Sequence, residues 1–328
     1  MNRISKIKFI LLWAVIMLLS MTSFAQTVEQ NEVVLNLESC KIYGTLKIPE
    51  TKEKVPIALI IAGSGPTDRN CNNPMMTCNS YKMLSDSLKR YGIATLSYDK
   101  RGIAKSTSNQ KEDELRFKDY VEDAKSWVDF LSQSNRFSEI IIIGHSEGSL
   151  IGMIAGENNA KVSKFISIAG VGSPADEILK EQLSKRLESQ PITLKNQIFS
   201  YIDELKQGKL LENVPLNLYT LFRPSVQPYM ISWFKYNPKE EISKLKIPIL
   251  ILQGDLDIQV SENEANLLHE ANPNAKEVII KNMNHVLKNS QSMNMNEQMA
   301  DSYNNPNTPI NQELVKNIVE FIKRQNGQ

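Results

Sequence analysis

Runs of branched apolar residues alternate with segments of helical periodicity along most of this 328-residue chain. Runs that are apolar at every position are typical of strands covered by helices on both faces of a sheet. Between them, apolar residues recur at helical spacing, as at residues 120–131 and 314–322. The alternation predicts an α/β fold with a mostly parallel sheet flanked by helices. The predicted strands are residues 57–61, 93–98, 139–143, 165–168, 249–252 and 277–280, preceded by an antiparallel pair at 33–37 and 42–48.

Residues 172–246 interrupt the alternation, because they contain helix-like segments and no strand pattern. The sequence therefore predicts a core domain of residues 26–171 and 247–328, with a helical cap inserted at 172–246. Aromatic residues are frequent in the second half of this cap. We predict that Phe222, Trp233 and Phe234 line an apolar substrate pocket, although the same residues could instead hold the cap together.

A Gly-His-Ser-Glu-Gly pentapeptide at residues 144–148 follows a predicted strand and precedes a helix-like run. This is the G-x-S-x-G pattern in the strand–turn–helix context that it requires. The sharp turn crowds its neighbours, so glycine is needed on both sides, and the central hydroxyl projects above the carboxyl end of the sheet. Ser146 is the predicted nucleophile.

A serine hydroxyl needs a base that takes its proton, and the chain has three histidines. His145 adjoins the nucleophile, and its side chain should point away from Ser146. His269 falls in a predicted helix, residues 262–271, on a flank of the sheet. His285 lies in a polar loop directly after a predicted strand, so we predict that His285 is the general base.

The acid that orients the histidine should lie between the serine and the histidine in the chain. The loop after the strand at residues 249–252 supplies Asp255 and Asp257. We predict Asp257 by analogy with the order of the motif, whereas Asp255 would hold the loop through backbone hydrogen bonds. The reverse assignment stays open.

An acyl-transfer site also needs N–H donors directed at the developing oxyanion. The backbone N–H of Glu147, the residue after the nucleophile, is the first predicted donor. The second should come from the Ala-Gly-Ser-Gly-Pro loop at residues 62–66. Pro66 has no N–H to donate, so Ser64 is the predicted donor and Gly65 the alternative.

Together, the pentapeptide, the segments at residues 63–69 and 99–102 and the Gly254-x-x-Asp257-x-x-Val260 segment resemble α/β-hydrolases. The resemblance is to the serine aminopeptidase-like and acyl-thioester-hydrolase-like group, which includes small bacterial carboxylesterases, and it covers nearly all of the chain after residue 25. It implies an α/β-hydrolase fold, a Ser-Asp-His triad, no metal or other cofactor, and hydrolysis of esters or related acyl compounds.

The leading functional hypothesis is a carboxylesterase that acts on a small-molecule ester through an acyl-enzyme. An aminopeptidase-like enzyme would need a cap carboxylate to bind a substrate ammonium, and Asp203, Glu204, Glu240 and Glu241 look like helix-surface charges. A catalytically inactive binding module is the alternative from another class. Nothing in the sequence indicates a nucleic-acid partner, which would require a strongly basic patch.

The first 25 residues combine Arg3, Lys6 and Lys8 with a short apolar run and a small-residue stretch that ends at Ala25. This pattern predicts a signal peptide, removed before Gln26, and an exported protein that is periplasmic or secreted. The apolar run is shorter than the roughly 20 residues of a membrane-spanning helix, so we expect no stable membrane insertion after cleavage. An oxidising compartment permits disulfides, and we predict one between Cys71 and Cys78, with Cys40 buried.

Overall fold

The computed structural model describes residues 31–324, so the predicted signal peptide lies outside the described residues. Among them, no helix has the length and apolar character needed to cross a membrane. The strands are β1 (Asn31–Asn36), β2 (Cys40–Lys47), β3 (Val55–Ile61), β4 (Asn72–Asn73), β5 (Met76–Thr77), β6 (Ala94–Tyr98), β7 (Thr107–Ser108), β8 (Phe137–His145), β9 (Val162–Ile168), β10 (Ile249–Gly254) and β11 (Lys276–Ile280).

One sheet runs in the order β1-β2-β6-β3-β8-β9-β10-β11, and the short β7 pairs with β2. Strands β1, β2 and β6 pair antiparallel, and every pair from β6 to β11 is parallel. The predicted mostly parallel sheet is confirmed. Parallel strands end at the same edge, so the loops after β3, β6, β8, β10 and β11 meet above their carboxyl ends.

Helices cover both faces of this sheet. Strand β3 illustrates the two-layer core, because alternate side chains of a strand point to opposite faces. Ile57 and Leu59 join one core cluster and Ala58 and Ile60 the other. The helices are Ser80–Arg90, Phe117–Ser132, Glu147–Gly156, Ala175–Arg186, Ile192–Lys206, Tyr219–Phe222, Gln227–Trp233, Pro238–Lys244, Glu262–Ala271, Met295–Gln298 and Gln312–Lys323, with 3₁₀ turns at Glu112–Glu114 and Leu216–Leu218.

Residues 172–246 contain helices and no strand. Most of these helices share an apolar cluster of their own, separate from the two clusters of the sheet. The last helix, Pro238–Lys244, is different, since its Ile242 and the following Leu245 belong to the core of the sheet. The inserted segment is thus a small packed unit that returns to the core through this helix.

The segment at residues 290–307 is partly helical, although it is rich in Asn, Met and Ser. It contains the helix Met295–Gln298 and a π-helical turn, Met299–Tyr303. Asn294 caps the helix by accepting two backbone N–H bonds. Gln298 is buried and donates to the carbonyl of Leu256 at 2.8 Å. A segment rich in Asn and Ser therefore folds back on the loop after β10.

The predicted disulfide is wrong, because Cys71 and Cys78 are both buried free thiols. The Cys78 thiol donates instead to the backbone carbonyl of Cys71, at 2.8 Å. The Ser80 hydroxyl in turn donates to the Cys78 sulfur at 3.3 Å. Cys40 is a buried free thiol at the start of β2. The loop around Cys71 is thus held by hydrogen bonds and apolar burial.

Candidate active site

Ser146 lies between β8 and the helix Glu147–Gly156, in a backbone conformation that L-residues rarely adopt, with φ 55° and ψ −123°. A Cβ atom on Gly144 would lie 2.3 Å from the carbonyl oxygen of Gly148. One on Gly148 would lie 2.4 Å from the carbonyl oxygen of Ile61. The two glycines therefore allow the turn to close, and the turn places Ser146 at the carboxyl edge of the sheet.

Asp257 and His285 form a buried hydrogen-bonded pair in which Asp257 Oδ2 and His285 Nδ1 are 2.8 Å apart. The other carboxylate oxygen, Oδ1, accepts the backbone N–H groups of Gln259 and Val260 at 2.7 and 2.9 Å. Burial alone would raise the pKa of Asp257, but the charge of His285 and these hydrogen bonds outweigh it and hold the pKa below its ordinary value. Asp257 is therefore a fixed carboxylate that orients the imidazole of His285.

The loops that carry this pair are joined by backbone contacts. Gly254 packs so closely on the histidine loop that a Cβ atom there would lie 2.0 Å from the Met283 carbonyl oxygen. Asp255 accepts the backbone N–H of Asn282 at 2.7 Å and forms an ion pair with Lys281 at 3.1 Å. Asp255 thus holds the loop and does not contact the imidazole.

His145 points away from Ser146 and connects two other parts of the site. Its Nε2 is 2.9 Å from the carbonyl oxygen of His285, and its Nδ1 is 2.7 Å from the Tyr81 hydroxyl. A carbonyl can only accept, so Nε2 carries the proton and Nδ1 accepts from Tyr81. Burial, reinforced by the charge of His285, lowers the pKa of His145 to about 3. His145 is therefore neutral at pH 7 and braces the His285 loop, whereas His269 lies on the helix Glu262–Ala271.

Several backbone N–H groups near Ser146 donate no hydrogen bond to any other group of the described chain. They include those of Ser64 and Glu147, the two predicted donors, and that of Gly65, the alternative. The loop that contains Ser64 is close to the nucleophile, since a Cβ atom on Gly63 would lie 3.1 Å from Ser146 Cβ. Within residues 31–324, Ser146 Oγ and His285 Nε2 are not hydrogen-bonded to each other; such bonds often form only when substrate binds.

A cavity of about 380 Å³ opens onto Ser146, Ser64 and Glu147. Trp233 lines it, but Phe222 and Phe234 do not. These two rings are buried in the cap's own apolar cluster, which corrects their predicted role. The remaining walls are mostly apolar and come from both core and cap, including Leu115, Tyr120, Val171, Ile178, Leu179, Leu221, Val226, Tyr229 and Met230.

Tyr81 and Lys100 have no role predicted from the sequence, and Tyr229 was expected only as one of the cap aromatic residues that could line the pocket. Lys100 lines the cavity and donates to the carbonyl oxygen of Gly63 at 2.7 Å. The Tyr229 hydroxyl, from the cap, donates to the Glu147 carboxylate at 2.5 Å. The position of Lys100 directly after β6, at the carboxyl edge of the sheet, could have indicated it, whereas Tyr81 lies on a helix with no local signal.

The arrangement provides a serine hydroxyl, an Asp–His pair and the unpaired N–H groups of Ser64 and Glu147 around one cavity. These are the groups that nucleophilic acyl transfer needs. Among residues 31–324, no cluster of three or more His, Cys, Asp or Glu side chains could hold a metal ion.

A protein-family model described as serine aminopeptidase, S33, matches residues 75–291. The matched stretch includes Ser146, Asp257 and His285. Among characterised proteins, the esterase EstD of Thermotoga maritima is 25% identical over 268 residues, which are 80% of this chain and 61% of EstD. This chain thus spans about three fifths of the length of that relative.

Solved structures of low sequence identity share the fold. Est1E of Butyrivibrio proteoclasticus, solved with ferulic acid bound, superposes with a TM-score of 0.61 at 17% identity, over 90% of this chain and 100% of Est1E. An esterase of Pyrococcus furiosus superposes with a TM-score of 0.60 at 15% identity, over 92% of each chain.

Proposed function

We propose that this chain, which belongs to the serine aminopeptidase S33 family of α/β-hydrolases, hydrolyses carboxylic esters with Ser146 as nucleophile. The observation that carries the proposal is the mostly apolar cavity that opens onto Ser146 beside the unpaired N–H groups of Ser64 and Glu147. His285 serves as general base and Asp257 orients it.

In the acylation half, His285 Nε2 takes the proton of Ser146 Oγ while Oγ attacks the carbonyl carbon of the ester. The carbonyl oxygen becomes an oxyanion, which accepts the N–H groups of Ser64 and Glu147. The intermediate collapses, and the alcohol leaves with the proton from His285. Water then attacks the acyl-enzyme by the same steps in reverse, which releases the acid and restores Ser146. Asp257 keeps the proton of neutral His285 on Nδ1, so that Nε2 is free to act.

The lining of the cavity favours an ester over a peptide with a free amino terminus. An aminopeptidase must bind a substrate ammonium, and an unpaired carboxylate is the usual partner. The two carboxylates that line the cavity, Glu112 and Glu147, are already paired. Glu112 pairs with Arg223, and Glu147 with Lys100 and the Tyr229 hydroxyl. The names of EstD and of the Pyrococcus furiosus protein agree with an ester substrate.

A panel of p-nitrophenyl esters from acetate to decanoate, assayed beside amino-acid p-nitroanilides, tests the proposal. We expect ester hydrolysis that Ser146→Ala abolishes, with a loss of several orders of magnitude, and covalent labelling of Ser146 by a fluorophosphonate. His285→Ala should behave like Ser146→Ala, and His269→Ala like wild type. If anilides are cleaved faster than every ester, the peptidase function replaces ours. A well-folded wild-type protein that hydrolyses no substrate of the panel and does not react with the fluorophosphonate would be a binding module.

A further inference from the structure

Lys100 is a buried cation in the wall of the proposed active site. It is 2% exposed and lies directly after Asp99, at the carboxyl end of β6. Its ammonium group donates to the Gly63 carbonyl oxygen at 2.7 Å and lies 5.2 Å from the ring centroid of Tyr120. Removing an ammonium group from water is costly unless its charge and its hydrogen bonds are compensated. The position of Lys100 therefore requires both a counter-charge and acceptors.

Glu147 provides the counter-charge. Its Oε2 is 3.7 Å from the Lys100 ammonium, and it is itself only 4% exposed. Its Oε1 accepts the Tyr229 hydroxyl of the cap. Burial lowers the pKa of Lys100, and the Glu147 charge opposes that shift. The ion pair thus joins the two proposed oxyanion donors. Glu147 carries one of them, and Lys100 contacts the loop that carries the other, Ser64.

The bond from Lys100 to Gly63 determines the direction of the Ser64 N–H. In a trans peptide unit the C=O and N–H groups lie in one plane and point in opposite directions, and the described chain contains no cis peptide. The oxygen of Gly63 and the N–H of Ser64 belong to the same unit. Anchoring that oxygen on one side therefore directs the N–H to the other.

An external anchor is needed here because the loop is rich in glycine. Gly63 has no Cβ, and Gly65 has φ +77°, so this backbone resists rotation less than most. The peptide before Gly63 is also anchored, since the Gly63 N–H donates to the Tyr81 hydroxyl at 3.2 Å. Both peptide units around Gly63 are thus held by buried side chains.

We infer that Lys100 is a positioning residue that directs the Ser64 N–H at the oxyanion, with Glu147 as its buried counter-charge. The inference rests on the proposed ester hydrolysis at Ser146. It assigns Lys100 a role in stabilising the transition state and none in binding the ground-state substrate.

Lys100→Met tests the inference, because methionine keeps most of the length of lysine without the ammonium. We expect kcat to fall about 10²–10³-fold, the usual loss when one oxyanion donor is removed, with KM within about threefold of wild type. A trifluoromethyl ketone adds the Ser146 oxygen to its carbonyl carbon, passes the serine proton to His285 and leaves an alkoxide at the donors. Its affinity should fall in parallel with kcat, while affinity for the non-fluorinated ketone stays unchanged.

Lys164→Met is the matched control. Lys164 is also buried and donates to the Ile322 carbonyl at 2.6 Å, near the amino-terminal end of β9. The Lys164→Met variant should be less stable than wild type but should keep the kcat of wild type. If Lys100→Met does not fold, Lys100→Gln is measured instead. The glutamine side chain is one atom shorter than that of lysine and should also lose the contact with the Gly63 carbonyl oxygen.

An unchanged ratio of trifluoromethyl ketone to ketone affinity in the Lys100 variant overturns the inference. An equal loss of affinity for both ketones is one such outcome, and it would show a merely structural role. If wild type itself neither hydrolyses esters nor reacts with a fluorophosphonate, the proposed function has failed instead.

Discussion

Ser146 has a backbone conformation that residues other than glycine rarely adopt. A non-glycine residue at positive φ is strained by about 1–3 kcal/mol, and Ser146 has φ 55°. The surrounding glycines and the packed helix hold it in place, so the cost is offset elsewhere in the fold. Because of this strain, substitutions of Ser146 that all abolish activity should still differ in stability.

Ser146→Gly should be more stable than Ser146→Ala by about 1 kcal/mol, because glycine adopts positive φ without strain. Both variants should be inactive, since neither has a hydroxyl. Urea unfolding at neutral pH gives the free energy of unfolding of each variant. A Gly variant no more stable than the Ala variant would contradict strain at this position.

Asp257 and Asp255 share one loop but have different contacts. Asp257→Asn should lower kcat about 10⁴-fold, because an amide stabilises the wrong imidazole tautomer of His285. Asp255→Asn should cost less than about tenfold, since an asparagine oxygen can still accept the Asn282 N–H. Steady-state kinetics with a short-chain ester compare the two variants. The reverse ranking would make Asp255 the catalytic acid.

His145 should make the protein sensitive to acid well above the pH at which it titrates in the folded state. Its folded pKa is about 3 and its ordinary value is 6.5, so the unfolded chain binds the extra proton between these values. The free energy of unfolding should therefore fall as pH falls through that window. Wild type should lose about 2 kcal/mol more than His145→Gln between pH 6.5 and pH 5.

Urea unfolding of both proteins at several pH values measures this difference. Glutamine is the suitable replacement, because its amide can donate to the His285 carbonyl and accept from Tyr81 without titrating. If the stability curves of wild type and His145→Gln run parallel from pH 6.5 to pH 5, the folded state does not lower the pKa of His145.

At the scale of elements, neighbouring residues of the cap have different surroundings. Trp233 ends the helix Gln227–Trp233 and lines the cavity, while Phe234 packs into the cluster that holds the cap together. The same helix carries Tyr229, so it supplies both an apolar wall and the hydroxyl that binds Glu147. One short helix therefore connects cap packing with the substrate site.

Trp233→Leu should lower kcat/KM for octanoate esters more than for acetate esters, because only the longer chain reaches that wall. Each methylene left unburied costs about 0.8 kcal/mol. Phe234→Leu is the matched control, and it should lower stability by about 1–3 kcal/mol without changing chain-length preference. If both variants change the preference equally, the two rings do not have separate roles.

For the protein as a whole, we propose that it is exported and then works without its first 25 residues. Every residue of the proposed mechanism lies in the described part, residues 31–324. Removing Arg3, Lys6 and Lys8 leaves 35 basic and 37 acidic residues in a chain of 303, a net charge of −2. Such a chain is close to neutral and carries its catalytic groups within one folded unit.

Expression of the full chain in a bacterial host should yield a processed protein that begins at Gln26, because small residues precede that bond. Intact mass of the exported fraction measures the cleavage site. Ala25→Lys should accumulate as precursor. A protein that keeps Met1 and stays in the cytoplasm would contradict export.

The amino-acid sequence specifies the parallel sheet, the turn at Ser146 and the loops that hold Asp257 and His285. These are local signals, because the apolar runs and the glycines beside Ser146 constrain the residues next to them in the chain. The ends of the strands could be predicted for the same reason, and parallel strands bring their carboxyl ends to one edge of the sheet.

Which side chains surround that edge depends on tertiary packing. Tertiary packing places Trp233 at the cavity and Phe234 in the cap core, leaves Cys71 and Cys78 without a disulfide, and brings Lys100 to the Gly63 carbonyl. Each outcome depends on packing between segments far apart in the chain. Their apolar patterns admit several arrangements, and only burial and hydrogen bonding in three dimensions select one of them.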